Sequence, residues 1–182
     1  MILRLFAAID IPSTVRTRLA ELLDRLRPLA KLHWTPAEKL HVTTKFIGEW
    51  PEERLDELTR ALRTITEPGP VEVAIRRIGW LPNPRSARIL YAGVDATESL
   101  TNLAAETERV TQSLGVPAEA RIYRPHVTLA RTRKTVTLGA LKRTLAEIEL
   151  SDIGYYTTSS FSLYLSADGK YTNLQEFPLL NK

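Results

Sequence analysis

The chain has 182 residues, 43% hydrophobic and 25% charged, a balance that argues against disorder and fits one ordinary domain or two small lobes with a real core. It has no cysteine, which removes disulfides, thiolate metal sites and a cysteine nucleophile, and which suits a reducing cytoplasm. Net charge is +4 with a pI near 9.5, a weak pointer to a polyanionic partner; no apolar run approaches the roughly 18 to 20 residues of a membrane span.

The opening "MILRLFAAIDIP" is apolar but interrupted by Arg4 and Asp10, and reads as a buried first strand over residues 2–9 rather than a signal peptide. From Ser13, the residues Val15, Leu19, Leu22, Leu23, Leu26 and Leu29 recur at helical spacing and predict an amphipathic helix ending near Leu29. Trp34 lies in a short connection, and "KLHVTTKFI" (39–47) predicts a strand broken by Gly48. Pro51 suits the first turn of a second helix with Leu55, Leu58, Leu62 and Ile65 on one face. "VEVAIRRIGWL" and "SARILYAGVD" read as two strands joined by "PNPR". A third helix buries Leu100, Leu103, Val110 and Leu114 and stops at Gly115. "HVTLAR" is the next strand, and a fourth helix uses Leu138, Leu141, Leu145 and Ile148. "YYTTSSFSLYLS" and "YTNLQEFPLL" close the chain as strands joined by "ADGK". The hairpin-like pairs favour an α+β fold with antiparallel sheets over a parallel α/β sheet.

Two of the three histidines open the same tripeptide: His41 in "LHVTTKFIGEW" and His126 in "RPHVTLAR". Side chains of a strand alternate faces, so His41 and Thr43 share a face, as do His126 and Thr128, while Val42 and Val127 point into a core. Two imidazoles can serve as acid and base together, and two hydroxyls can hold phosphate oxygens; in-line displacement at a phosphodiester needs that set. The second motif lies in a block of Arg121, Arg124, Arg131, Arg133 and Lys134 with no acidic residue, which reads as an anion-binding rim or as a solvated sheet edge. A zinc site lacks H-E-x-x-H and any carboxylate within either motif, and G-x-S-x-G, Walker A and G-x-G-x-x-G patterns are all missing. Strict alternation puts Lys45 beside His41 and Thr43, where it would meet the anion. It turns Phe46 away into the core, and it sets Arg131 on the face opposite His126 unless a bulge intervenes. His33 reads as structural or peripheral. Tyr171 is balanced between stacking on a base and packing.

These motifs resemble the paired His-x-Thr signatures of the 2H phosphoesterase superfamily, and the branch they most resemble is the RNA 2′,3′-cyclic phosphodiesterases, or 2′-5′ RNA ligase-like proteins. "RLFAAIDIP", Trp34, "ARILYAGVD" and "LYLSADGKYTNLQEFPL" carry the resemblance over nearly the whole chain. It implies a bilobal α+β fold, two antiparallel sheets flanked by helices with pseudo-two-fold symmetry around a central cleft. Residues 1–182 would then form a single domain of two intertwined lobes, each carrying one motif. It implies metal-independent, cofactor-free hydrolysis of an RNA 2′,3′-cyclic phosphate end, tRNA fragments included, by a cytoplasmic monomer, with reversible 2′-5′ RNA ligation as a companion reaction. His41 would be the proton donor, His126 the proton acceptor, and Thr43 and Thr128 phosphate ligands. Lys45, Arg131 and Tyr171 are further candidate substrate contacts, and Arg131 resembles a phosphate-side cation of that family. Leu165 stands where many relatives carry arginine in "LYRS". A small cyclic nucleotide as substrate, or a non-catalytic RNA-binding module, are the alternatives.

Overall fold

The computed structural model describes residues 1–132, 136–148 and 153–180; Arg133 and Lys134 of the basic block lie outside the described residues. In chain order the elements are β1 (Ile2–Asp10), α1 (Ser13–Leu26), β2 (His33–Trp34), β3 (His41–Pro51), α2 (Leu55–Leu62), β4 (Val71–Leu81), β5 (Ile89–Val94), α3 (Glu98–Ser113), β6 (His126–Arg131), α4 (Gly139–Glu147), β7 (Gly154–Thr158), β8 (Ser160–Ala167) and β9 (Lys170–Pro178). Helix α1 buries Val15, Leu19, Leu22, Leu23 and Leu26, as its spacing predicts. It ends at Leu26 because Pro28, with no N–H to give, tightens residues 27–29 into a 3₁₀ turn.

All strand pairs are antiparallel, in the order β7-β4-β5-β6-β3-β1-β8-β9, with β2 on β6. The two expected antiparallel sheets are thus halves of one curled sheet, β7-β4-β5-β6 and β3-β1-β8-β9. They join through a single residue pair, Val42 opposite Val127. The predicted strand over 155–166 is two strands. It breaks at Ser159, and its halves serve the two ends of the sheet: β7 pairs with β4, and β8 with β1 and β9. One residue spans at most about 7 Å between its neighbours' Cα atoms, so the chain brings these ends of the sheet together. The core is continuous, with Val42, Val127, Leu90, Leu163 and Phe161 on the strands meeting Leu19, Leu23, Leu58, Leu100 and Leu103 on the helices.

Candidate active site

His41 begins β3 and His126 begins β6. The joining pair sets Val42 against Val127 on the helix-covered face, so both histidines and both threonines fall on the opposite, open face. The two imidazoles are held alike. His41 Nδ1 lies 2.7 Å from the Lys39 carbonyl oxygen, and His126 Nδ1 lies 2.8 Å from that of Arg124, each two residues upstream. A carbonyl only accepts, so Nδ1 carries the hydrogen in both rings and Nε2 is left free to take or give a proton. His41 Nε2 is 3.0 Å from Thr43 Oγ1. Burial pushes the pKa of His41 below its ordinary value; the Lys39 carbonyl and Asp10 pull it back up, and positive charge on His126 adds to the lowering.

Strict alternation fails after each motif, in the same way. Opposite β1, Thr43 faces Ala8 and Lys45 faces Ala7, so Thr44 is an extra, bulged residue. Opposite β5, Thr128 faces Tyr91 and Ala130 faces Leu90, so Leu129 is bulged. The bulge sits three residues after the histidine in both strands, and residues 41–46 and 126–131 show one burial pattern, position by position. Parity flips beyond it. Lys45 is consequently not beside the histidines, a correction to the sequence reading. It turns to the helix side, is 5% exposed, and meets Glu108 of α3 at 2.6 Å and the Pro117 carbonyl at 3.1 Å. Phe46, expected in the core, instead comes to the open face and is 63% exposed. Arg131 comes to the open face with His126 and Thr128, through the bulge its position requires. The fifth residue after each histidine is thus an aromatic ring on one half of the sheet and a guanidinium on the other.

The remaining open-face groups sort by half. Around His41, Phe6 lies 4.8 Å from the imidazole and 6.4 Å from Phe46 between ring centroids, and stacks on Tyr164 at 5.3 Å. Tyr171, 41% exposed, presents its ring edge-on to His41 at 5.4 Å, and Lys39 Nζ sits 5.8 Å from the Tyr171 ring centre while bonding the Gly169 carbonyl. Asp10, directly opposite His41, accepts from the Tyr164 hydroxyl and, at 3.3 Å, from the Ser162 hydroxyl. Around His126, Tyr91 packs edge-on at 5.7 Å. Its ring lies over Gly79, where a Cβ would come 2.6 Å from the phenol oxygen. His33 is opposite Arg131 on β2, so all three histidines share the open face. Leu165 pairs with Leu5 on the helix side, so an arginine at that position would project away from the histidines. Among the described residues, no group of three or more His, Cys, Asp or Glu is placed to hold a metal, and no helix is long and apolar enough to cross a membrane.

Sequence reasoning missed Asp10, Tyr91, Tyr164 and the placement of Phe46. Asp10 alone left a signal, as a carboxylate interrupting an otherwise apolar strand.

Comparison with known proteins follows the same lines. The family of LigT-like phosphoesterases matches residues 9–91 and 93–170, one histidine motif in each block. An RNA 2′,3′-cyclic phosphodiesterase of Methanothermobacter thermautotrophicus is 29% identical over 98% of this chain and 100% of its own. One from Thermus thermophilus is 32% identical over 72% of this chain and 69% of its own. The crystal structure of Escherichia coli LigT complexed with 3′-AMP superposes with a TM-score of 0.78 at 25% identity, covering both chains fully. With both motifs inside a match that spans most of its length, the chain belongs to the LigT-like family of 2H phosphoesterases.

Proposed function

We propose that this protein hydrolyses the 2′,3′-cyclic phosphate at an RNA end to a 2′-phosphate, without a metal or cofactor. One observation carries the reading: two imidazoles, each fixed by a backbone carbonyl as the Nδ1–H tautomer, leave their two Nε2 atoms on one open face beside two threonine hydroxyls. His126 Nε2 takes a proton from water as the water oxygen bonds to phosphorus. His41 Nε2–H gives its proton to the departing 3′-oxygen as the P–O3′ bond breaks. Thr43 and Thr128 donate to the non-bridging oxygens. Burial lowers the His41 pKa and so disfavours the imidazolium in the free site. The negative phosphate arriving beside it favours the imidazolium, so the substrate itself recruits the proton that its leaving group needs. Phe46, exposed at the fifth position, offers a face for the terminal base, and Arg131 offers a cation for the phosphates. Tyr171 closes the site beside His41. Ligation follows the same path with an RNA 5′-hydroxyl in place of water: His126 Nε2 takes the hydroxyl proton as that oxygen bonds to phosphorus, the P–O3′ bond breaks as His41 protonates the 3′-oxygen, and a 2′-5′ linkage results. Cleavage of that linkage is the reverse, with the histidine roles exchanged. The relatives' RNA phosphodiesterase activity agrees with this reading. A single chain supplies every group, which fits a monomer acting on cytoplasmic RNA fragments.

The test is an oligoribonucleotide ending in 2′,3′-cyclic phosphate, incubated with the protein in excess EDTA. Conversion to the 2′-phosphate is expected, and loss of it in His41→Ala and in His126→Ala. Activity that vanishes in EDTA and returns with zinc overturns the metal-free mechanism. Turnover of a mononucleotide 2′,3′-cyclic phosphate with none of the RNA end points to the small-substrate alternative.

A further inference from the structure

The two halves of the sheet meet through one residue pair, yet two-histidine catalysis needs both imidazoles held at a fixed separation. Other contacts must set that separation, and they occur at the bulges. A bulge takes backbone groups out of the ladder. Beside the first bulge, the carbonyl of Thr43 accepts a hydrogen bond from the Tyr123 hydroxyl at 3.0 Å. At the second, the carbonyl of the bulged Leu129 accepts from the Thr35 amide at 2.8 Å. Tyr123 lies three residues before His126, and Thr35 lies six before His41. The segment that leads into each motif therefore secures the bulge of the other motif.

We infer that these reciprocal contacts are braces that fix the spacing of His41 and His126, and that Tyr123 is a positioning residue for the reaction. A second tie runs parallel to the first. Lys45, thrown to the helix side by the bulge, reaches the Pro117 carbonyl and Glu108. Glu108 in turn accepts from the Glu119 amide at 2.9 Å and from Gln112 at 2.7 Å. The stretch from Pro117 to Tyr123 is thus fastened to β3 at both ends before it turns into His126. At the second motif, β2 lies against the end of β6 through His33–Arg131 and Trp34–Ala130, which extends the Thr35 contact into a short ladder. Loosening one brace leaves each histidine intact in its own strand and changes only the relation between them. Such a change acts on the transition state, which needs both imidazoles in line with phosphorus, more than on substrate binding.

The kinetic arm of the test rests on the phosphodiesterase reading. Tyr123→Phe keeps the ring and removes only the hydroxyl. The control, Thr107→Val, removes a buried hydroxyl whose hydrogen bond to the Leu103 carbonyl stays within α3. Each is compared with the unaltered protein on the cyclic-phosphate RNA end, with Tm recorded in parallel. For Tyr123→Phe, kcat is expected to fall roughly two- to tenfold, the scale of one net hydrogen bond, with KM within about twofold; Thr107→Val should lower Tm comparably and leave kcat unchanged. Equal kcat for Tyr123→Phe and the unaltered protein, or equal losses in both variants, overturns the brace. Amide hydrogen exchange at Lys45 and Phe46 supplies a readout independent of turnover. It should speed up in Tyr123→Phe and not in Thr107→Val, and unchanged exchange overturns the brace. An unaltered protein that leaves the cyclic phosphate untouched refutes the functional reading, and exchange then decides on the brace by itself.

Discussion

Lys45→Met separates the structure from plain strand alternation, because the two place the ammonium on opposite faces. In the structure Lys45 is 5% exposed and paired at 2.6 Å with Glu108, itself 25% exposed. Removing one partner of a buried ion pair costs about 3–5 kcal/mol. Glu108 retains some water and its bonds from Gln112 and the Glu119 amide, so about 2–3 kcal/mol is the expectation here. For a chain of this size that lowers Tm by about 4–12 °C. The loss should be pH-dependent. Burial pushes the Glu108 carboxyl up, but hydrogen bonds from Lys45, Gln112 and the Glu119 amide outweigh it and hold the pKa below the ordinary carboxylate value. A carboxylate depressed on folding stabilises above its unfolded pKa, and the contribution is lost as pH falls through the folded one. Thermal melts between pH 3 and 7 should therefore show a shallower acid slope in Lys45→Met than in the unaltered protein. Adding Glu108→Gln to Lys45→Met should cost less than the two single changes summed. Turnover should fall by less than about tenfold, as expected for a side chain that acts only through the strand it anchors. A variant with unchanged Tm and a loss of more than about a hundredfold in kcat/KM would put Lys45 on the phosphate and refute the bulge assignment.

Phe46→Ala should raise KM for the RNA end by roughly five- to a hundredfold, the range of one base–aromatic stack, with little change in Tm because the ring is exposed; unchanged KM would remove Phe46 from the substrate. Asp10 raises the His41 pKa, so Asp10→Asn should lower it further and move the limb of the kcat/KM pH profile assigned to His41 to more acid pH, and an unmoved limb would sever that link. The folded protein binds fewer protons at His41 than the unfolded chain does, so stability should decline as pH falls below about 6.5, and His41→Gln should remove that slope. Gly79→Ala should push the Tyr91 ring off its seat beside His126 at a cost of about 1–3 kcal/mol, and a crystal structure showing the ring unmoved would contradict this.

The helices were legible because their apolar spacing is long and regular: Val15 to Leu26 and Leu100 to Val110 are buried where the period puts them. The doubled motif was legible because alternation holds over its three residues. It could not be extended to five. Thr44 and Leu129 are ordinary strand residues with no glycine or proline to mark a bulge, so Lys45 and Phe46 exchanged faces unannounced and only the charge of Arg131 hinted that the strand must shift. The break at Ser159 was hidden for a related reason. Residues 154–167 have strand-forming composition throughout, and what divides them is the set of partners offered by β4 on one side and β1 on the other.

The order of strands in the sheet has a consequence for cutting the chain. The first half of the sequence supplies β4 to the half of the sheet that carries His126, and the last quarter supplies β8 and β9 to the half that carries His41. Cleavage in the segment between β5 and α3 would therefore yield two fragments, each holding one complete His-x-Thr motif: the first keeps β1 beside β3 but loses β6, β7 and β8, and the second keeps β6 without β5 or β3. Neither fragment should fold alone, since each would bare the edges of strands that are interior in the whole protein. Mixed together, they can find their missing partners only in each other, so the molecule should reassemble by fragment complementation or fail entirely, with no half-sized phosphoesterase between those outcomes.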